Sequence, residues 1–220
     1  MRREPGVCGV QSRSQPSRVA PLLIAAALCI GADPNPSPNN AAEILEGHPP
    51  KVARRLHAKN RALLPGTQDG GLYIGALVLF DQPLERTLHL LSQSERQSEY
   101  LPELKRVDRI RLDGAAAIDQ HHVRILFIRI DYRLRTESDL EAARIWWNLD
   151  ASHDNDLNVL EGYWELYEFD ASRTLGVFGT RVVFGPALPA FLQNAATRRN
   201  VPRVVERMRL WVNSNGSYRP

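Results

Sequence analysis

An alternating run of apolar and charged residues in the middle of the chain limits most strongly what the chain can fold into. The run lies within residues 121–150, which read HHVRILFIRIDYRLRTESDLEAARIWWNLD. Its apolar members are Ile128, Ile130, Tyr132 and Leu134. Successive side chains of a strand point to opposite faces, so this period of two predicts a strand with one apolar and one charged face. Similar residues on either side indicate an antiparallel sheet with one buried face and one wet face.

The first 32 residues have the composition of a signal peptide. Four arginines precede an apolar run, VAPLLIAAALCI at residues 19–30, and Gly31 and Ala32 supply small residues for cleavage. The sequence therefore predicts a signal peptide over residues 1–32 and an exported protein, periplasmic or secreted. Two alternatives remain open: Cys29 as a lipidation site, and an uncleaved run that serves as a weak anchor.

The net positive charge of the chain comes from these first 32 residues. The whole chain has a net charge of +3, and residues 1–32 hold four arginines and one glutamate. Residues 33–220 are therefore neutral, with 24 basic and 24 acidic side chains. Nucleic-acid binding needs a basic patch within the folded domain, so the composition predicts no nucleic-acid partner.

The remaining chain divides into an N-terminal extension, residues 33–70, and a ligand-binding domain, residues 71–215. The extension combines a Pro- and Asn-rich spacer with helical stretches, the second of which covers residues 51–64. Its apolar side predicts either packing on its own domain or contact with a membrane surface. The period-two segments of the domain predict strands at residues 72–80, 107–112, 118–127, 128–136, 144–149, 161–169 and 173–184.

Helices are expected between the first two of these strands and after the last one. Residues 83–92 predict a short helix capped by Asp81, and residues 98–105 predict a second one. A long amphipathic helix is expected over residues 190–213, which Pro202 either kinks or splits. The order is thus one strand, two short helices, six strands and a long helix.

Six short motifs in this order resemble those of a known superfamily. They are YLPELK at 100–105, IDYRLR at 130–135, Trp147, LEGYWEL at 160–166, LPAFL at 188–192 and RRNVP at 198–202. Over residues 71–213 the chain resembles the START-like superfamily, also called SRPBCC, and most closely its polyketide-cyclase and coenzyme Q-binding branch. The resemblance implies an α+β, helix-grip fold, a curved antiparallel sheet of about seven strands wrapped around a long C-terminal helix.

The same resemblance implies a cavity between the sheet and the helix. The apolar residues expected to line it are Ile128, Ile130, Tyr132, Leu134, Trp147, Trp164, Phe178, Val182, Met208 and Trp211. A solid core built from these residues is the open alternative. Ligand pockets combine apolar walls with a few polar groups, which the Tyr132 hydroxyl and the indoles of Trp147 and Trp164 can supply. The expected partner is a hydrophobic small molecule: a lipid, a quinone or a polyketide-like compound.

The sequence contains no strong catalytic or cofactor motif, so no catalytic residue, cofactor or metal site is predicted. His121 and His122 are neighbours in a strand and point to opposite faces, so they do not share one ion. Three functions remain open. They are a carrier of a hydrophobic molecule, a cyclase or aromatase that uses Tyr132 and Asp131, and an interaction module without a ligand.

Two smaller features complete the predictions. Arg129, Arg133 and Arg135 form a basic stripe on the outer side of the central strand, either a solvated, ion-paired face or a site for anionic headgroups. Gly176 and Gly179 stand where similar proteins usually carry larger residues. Each marks either a tolerated weakness in the strand, or a bulge or the close approach of a ligand or helix.

Overall fold

The structure is a computed structural model that describes residues 40–68, 71–125, 127–185 and 200–220. The helices in this part of the chain are α1 (Ala41–Glu46), α2 (Pro50–Lys59), α3 (Leu84–Leu91), a 3₁₀ helix (Ser94–Glu99) and α4 (Asn200–Asn213). The strands are β1 (Arg61–Gln68), β2 (Gly71–Phe80), β3 (Leu104–Asp113), β4 (Ala116–Ile125), β5 (Ile128–Asp139), β6 (Arg144–Leu149), β7 (Leu157–Asp170) and β8 (Arg173–Phe184). The predicted signal peptide lies outside the described residues.

The strands form one antiparallel sheet in the order β1-β2-β8-β7-β6-β5-β4-β3. Its middle register places Leu134 of β5 opposite Leu149 of β6, and Trp164 of β7 opposite Phe178 of β8. Strand partners put their side chains on the same face, so the aligned apolar residues make one continuous surface across the sheet.

The alternation predicted for the central strand is confirmed. Ile130 and Leu134 are buried, whereas Arg129 is exposed on the other side of β5. We call the face that carries Ile130, Leu134 and Trp164 the inner face, and the opposite one the outer face.

Helix α4 packs on the inner face. Val205, Trp211 and Val212 have no exposed surface, and they share one apolar cluster with Val78 and Phe80 of β2. A helix whose apolar positions recur every three or four residues buries one stripe in this way. The result is the predicted α+β, helix-grip arrangement, an antiparallel sheet against a C-terminal helix.

Helices α1 and α2 pack on the outer face. Val52 and Leu56 of α2 are buried in a second cluster with Leu77 and Leu79 of β2 and Leu175 of β8. These β2 and β8 residues alternate with those that face α4, so both sides of the two strands are buried. Of the two alternatives for this amphipathic helix, packing on its own domain is the one that the structure shows.

The sheet has eight strands where about seven were expected. The additional strand is β1, which covers the last four residues of the helix predicted over residues 51–64 and the four residues after it; that helix in fact ends at Lys59. Asn60 adopts a left-handed conformation with φ 52°, which asparagine tolerates better than most residues and which ends the helix. The Asn60 carbonyl then accepts from the Leu79 amide at 2.8 Å, which starts the pairing of β1 with β2.

The connection between β2 and β3 also differs in detail from the prediction. Helix α3 follows Pro83, and Asp81 does not cap it; its carboxylate accepts a hydrogen bond from the Asn213 side-chain amide at 2.6 Å. Asp81 thereby joins the end of β2 to the end of α4. The second short helix is the 3₁₀ helix Ser94–Glu99, earlier than expected, because β3 already begins at Leu104.

The predicted helix over residues 190–213 is observed as α4, and residues 190–199 lie outside the described residues. Pro202 lies inside α4, near its first described residue. Among the described residues, no helix is both long enough and apolar enough to span a bilayer.

Candidate functional site

The end of the inner face under α4 is filled by aromatic rings. The Trp164 ring lies 4.8 Å from Phe178 and 5.7 Å from Phe80, and the Trp147 ring lies 5.9 Å from Phe178 (centroid distances). Edge-to-face and tilted pairs at these distances are the favoured aromatic geometries. We call this group and the α4 residues that contact it the packed cluster. It contains Trp147, Trp164, Phe178, Met208 and Trp211 of the predicted cavity lining.

Trp211 is the centre of the contact between α4 and the rest of the domain. Its side chain is fully buried, and its ring stacks on Tyr100 at 4.7 Å between centroids. The Arg96 guanidinium lies 5.0 Å from the centroid of the Trp211 ring, within reach of a cation–π interaction. Tyr100 follows the 3₁₀ helix directly, so Trp211 ties α4 to that segment.

The two unusual glycines of β8 are required by close packing of side chains. A Cβ atom at Gly176 would lie 2.8 Å from the Phe80 ring and 2.9 Å from the Trp164 ring. A Cβ atom at Gly179 would lie 2.5 Å from the Tyr163 ring on the outer face. Both positions show a close approach, but aromatic rings of the same sheet make it, and not the ligand or helix that was expected under one of the two alternatives.

The other end of the inner face holds a separate apolar group, which we call the open-end cluster. Its buried members are Ile130 and Leu157, and its partly buried members are Val123, Ile125, Ile128, Tyr132, Leu149, Leu160 and Phe184. Three of the predicted lining residues, Ile128, Ile130 and Tyr132, therefore lie here. Leu134 and Val182 lie on the same face, opposite Leu149 and Leu160 of the open-end cluster.

His121 of β4 lies beside the open-end cluster on the inner face. Its ring stacks on Tyr132, with centroids 5.0 Å apart and planes 7° from parallel. Nδ1 lies 3.2 Å from the Asp119 backbone oxygen, and Nε2 is buried without a hydrogen-bond partner. Burial lowers the pKa of His121 to about 4 and raises the pKa of the Tyr132 hydroxyl, because both charged forms lose hydration. Both side chains are therefore neutral near pH 7.

A buried carboxylate supports this part of β4. Asp119 is fully buried and accepts hydrogen bonds from the Ser94 hydroxyl and the Arg109 guanidinium. Arg109 also pairs with Glu95. Both members of the Asp119–Arg109 ion pair therefore contact the 3₁₀ helix, Asp119 through Ser94 and Arg109 through Glu95. The sequence analysis did not connect these residues. Asp119 and His121 alternate in β4, so their shared face with Tyr132 was open to prediction from the strand pattern.

His121 and His122 point to opposite faces, as the sequence analysis expects. On the outer face, His122 Nδ1 lies 2.9 Å from Asp131 and Nε2 lies 3.2 Å from Asp108. Asp131 therefore lies on the face opposite Tyr132, which separates the two residues named for a cyclase. Within the described residues, the search for three or more metal-ligating side chains in one place finds no group.

The arginine stripe lies on the outer face of β5 and is largely ion-paired. Arg135 Nε donates to Glu137 at 2.7 Å, and the Arg133 guanidinium lies 3.9 Å from the Asp150 carboxylate. Arg129 is exposed. The solvated, ion-paired alternative therefore describes this face.

A cleft of about 600 Å³ opens at the opposite edge of the domain from the open-end cluster. Its walls are Asn40, Leu84, Glu141, Ala142, Ala143, Leu166, Tyr167, Glu168, Phe169 and Asp170. Four of these ten residues are polar and three of the four are acidic, so a hydrophobic ligand in this cleft would have to desolvate charged groups.

Solved structures share this fold, although the sequence matches no protein-family model and no curated protein. A STAR-related lipid transfer protein from Xanthomonas axonopodis has a TM-score of 0.60 at 10% identity, over 70% of this chain and 94% of that one. An aromatase/cyclase from a Streptomyces species has a TM-score of 0.54 at 15% identity, over 67% and 99%. A START superfamily protein from Mycobacterium smegmatis has a TM-score of 0.54 at 12% identity, over 64% and 97%.

At such low identities these likenesses establish the fold alone. The chain therefore has a START-like, helix-grip fold.

Proposed function

We propose that the protein is an exported START-like domain that binds or carries a hydrophobic small molecule without covalent chemistry. The open-end cluster is the observation that carries this proposal. Seven of its nine apolar side chains are only partly buried, whereas most members of the cluster at the other end of the same face are buried under α4. A lipid, a quinone or a polyketide-like compound has the apolar surface that such a patch would take.

The energetics favour an apolar occupant. Removal of apolar surface from water contributes about 25 cal/mol per Å², so a ligand that covers roughly 200 Å² of it contributes about 5 kcal/mol. Solved structures of the same fold include a lipid transfer protein and an aromatase/cyclase. These names support a ligand-binding role, and the separation of Tyr132 from Asp131 favours carriage over cyclisation.

A bulky substitution on the inner face is expected to weaken binding of an apolar ligand. Val182 lies opposite Leu160 of the open-end cluster, and Val183 points to the outer face of the same strand. Val182→Trp should weaken the binding of a fluorescent fatty acid by about tenfold or more, since the indole occupies the space beside the cluster. Val183→Trp is the matched control and should change the affinity less than about twofold. Fluorescence titration of lipid-free protein measures both.

Native mass spectrometry of the purified protein, followed by organic extraction, gives an independent check. A stoichiometric apolar compound that co-purifies with wild type and is lost in Val182→Trp would support the proposal. If delipidated wild-type protein bound neither the fatty acid nor a quinone, the carrier role would be wrong and an interaction module would replace it.

Export and membrane contact are the cellular part of the proposal. They rest on the composition of residues 1–32 and on the basic residues that α2 leaves exposed, Lys51, Arg54, Arg55 and Lys59. When the full chain is made in a bacterial host, the mature protein should fractionate with the envelope and begin after Ala32. Deletion of residues 19–30 should leave it in the cytoplasm. An unprocessed wild-type chain in the cytoplasm would contradict export.

A further inference from the structure

His121 presents a buried polar atom that lacks a partner. The side chain is 1% exposed, and Nε2 makes no hydrogen bond to the protein. Buried polar groups are nearly always hydrogen-bonded, because an unmade bond loses hydration without replacement. The ring stacks on Tyr132, a member of the open-end cluster, so the unpartnered atom lies beside the proposed ligand site.

The other ring nitrogen fixes the tautomer. Nδ1 lies 3.2 Å from the backbone oxygen of Asp119, and a carbonyl oxygen can only accept a hydrogen bond. Nδ1 must therefore carry a proton and donate it. Burial lowers the pKa of His121 to about 4, so the ring holds a single proton at neutral pH. Nε2 is then an unprotonated nitrogen with a lone pair, and it can only accept.

Two side chains close to His121 in sequence along β4, Asp119 and His122, already have partners and do not supply a donor to Nε2. The Asp119 carboxylate accepts hydrogen bonds from Ser94 and Arg109. An ionised carboxylate has no proton to donate, so it cannot form a hydrogen bond to Nε2. His122, the adjacent imidazole, lies on the outer face with Asp131 and Asp108. The partner that Nε2 requires is a donor from outside the described protein groups.

We propose that His121 Nε2 accepts a hydrogen bond from a hydroxyl group of the bound ligand, so that the site selects apolar alcohols and phenols over matching ethers and ketones. This inference rests on the proposed function. It narrows the ligand class: a quinone offers only carbonyl acceptors, whereas a quinol, a sterol-like alcohol or a phenolic polyketide offers the donor that His121 needs.

Three naphthalene derivatives of similar size test this selectivity: naphthol, naphthyl methyl ether and naphthyl methyl ketone. We expect delipidated wild-type protein to bind naphthol about tenfold more tightly than the ether or the ketone, the size of effect that one net hydrogen bond gives. His121→Phe keeps an aromatic ring against Tyr132 and removes the acceptor, so it should bind all three equally. His122→Phe is the matched control on the outer face and should keep the wild-type preference.

A second, conservative variant keeps the test informative if His121→Phe fails to fold. His121→Gln carries both an amide oxygen that accepts and an NH₂ group that donates. It should keep naphthol binding and gain binding of the ketone, which a purely structural role for His121 would not produce. Nitrogen NMR should show an unprotonated Nε2 in wild type that shifts on addition of naphthol and not of the ether.

The outcomes separate this inference from the proposed function. Equal affinity of wild type for the three probes, or an unchanged preference in His121→Phe, would overturn the role of His121 and leave a ligand-binding domain. Failure of wild type to bind any of the probes would overturn both.

Discussion

Trp211→Ala is expected to lower the free energy of unfolding by about 3–5 kcal/mol, the range for large-to-small changes at buried aromatic residues. Trp211 is fully buried, stacks on Tyr100 and lies under the Arg96 guanidinium. Its removal takes away the contact that joins α4 to the segment before β3. Urea denaturation monitored by far-UV circular dichroism measures the loss. This signal does not depend on tryptophan fluorescence, which the substitution itself changes.

Trp146→Ala is the matched control for this substitution. Trp146 precedes Trp147 in β6, points to the outer face and is 40% exposed. It should cost less than about 1 kcal/mol, as exposed positions usually do. Trp211→Phe keeps an aromatic ring and should recover part of the loss if the alanine variant is too unstable to measure. Equal effects of the two alanine substitutions would contradict the docking of α4 through Trp211.

Asp119→Ala should be the second strongly destabilising change, at about 3 kcal/mol or more, because removal of one partner leaves a poorly compensated charge beside the core. Asp119 is fully buried and holds both the Ser94 hydroxyl and the Arg109 guanidinium. Glu95 still pairs with Arg109, which keeps the expected cost at the lower end of the range for buried ion pairs. Thermal and urea unfolding of the variant measure the effect.

A second ion pair provides the control for Asp119. Glu137 pairs with Arg135 at 2.7 Å on the outer face, where both side chains are about one-third exposed. Glu137→Ala should cost less than about 1 kcal/mol, since water and salt screen exposed pairs. Adding Arg109→Met to Asp119→Ala should restore part of the stability by removing the poorly compensated charge of Arg109. If the double variant were less stable than Asp119→Ala alone, the charge argument would be wrong.

Local sequence pattern was sufficient to predict most of the sheet. β6 and β8 coincide with the predicted segments 144–149 and 173–184, because each is rich in β-branched and aromatic residues and is bounded by residues typical of turns. β1 was missed because RALLPGTQ contains Pro65 and Gly66, which are unfavourable in strand interiors, and follows a strong helical pattern. Pairing with β2, the next strand along the chain, stabilises this segment as an edge strand. Asp69-Gly70, a dipeptide typical of hairpin turns, stands between the two strands and is the local signal that could have predicted β1.

The sequence pattern predicts on which face of the sheet each candidate site residue lies, but not how deeply the residue is buried. All ten predicted lining residues have their described side chains in the packed cluster, in the open-end cluster or beside it. Periodicity assigns a residue to a face, whereas the position of α4 along the strands decides which end is packed solid. The partner of His121 Nδ1 is a backbone carbonyl, and neither its position nor the resulting tautomer follows from residue types.

Helices α1 and α2 cover only one half of the outer face, so the described domain has more layers of secondary structure there than elsewhere. Around β2 and β8 the backbone is sandwiched between α4 on one side and α2 on the other, a three-layered region with Leu77 and Leu175 fully shielded. Around β5 the described outer face is charged and wet, so the molecule is thinner there. Local opening disrupts fewest contacts where the layers are fewest. Hydrogen exchange of backbone amides is therefore expected to be faster around β5 than in the three-layered region around β2 and β8.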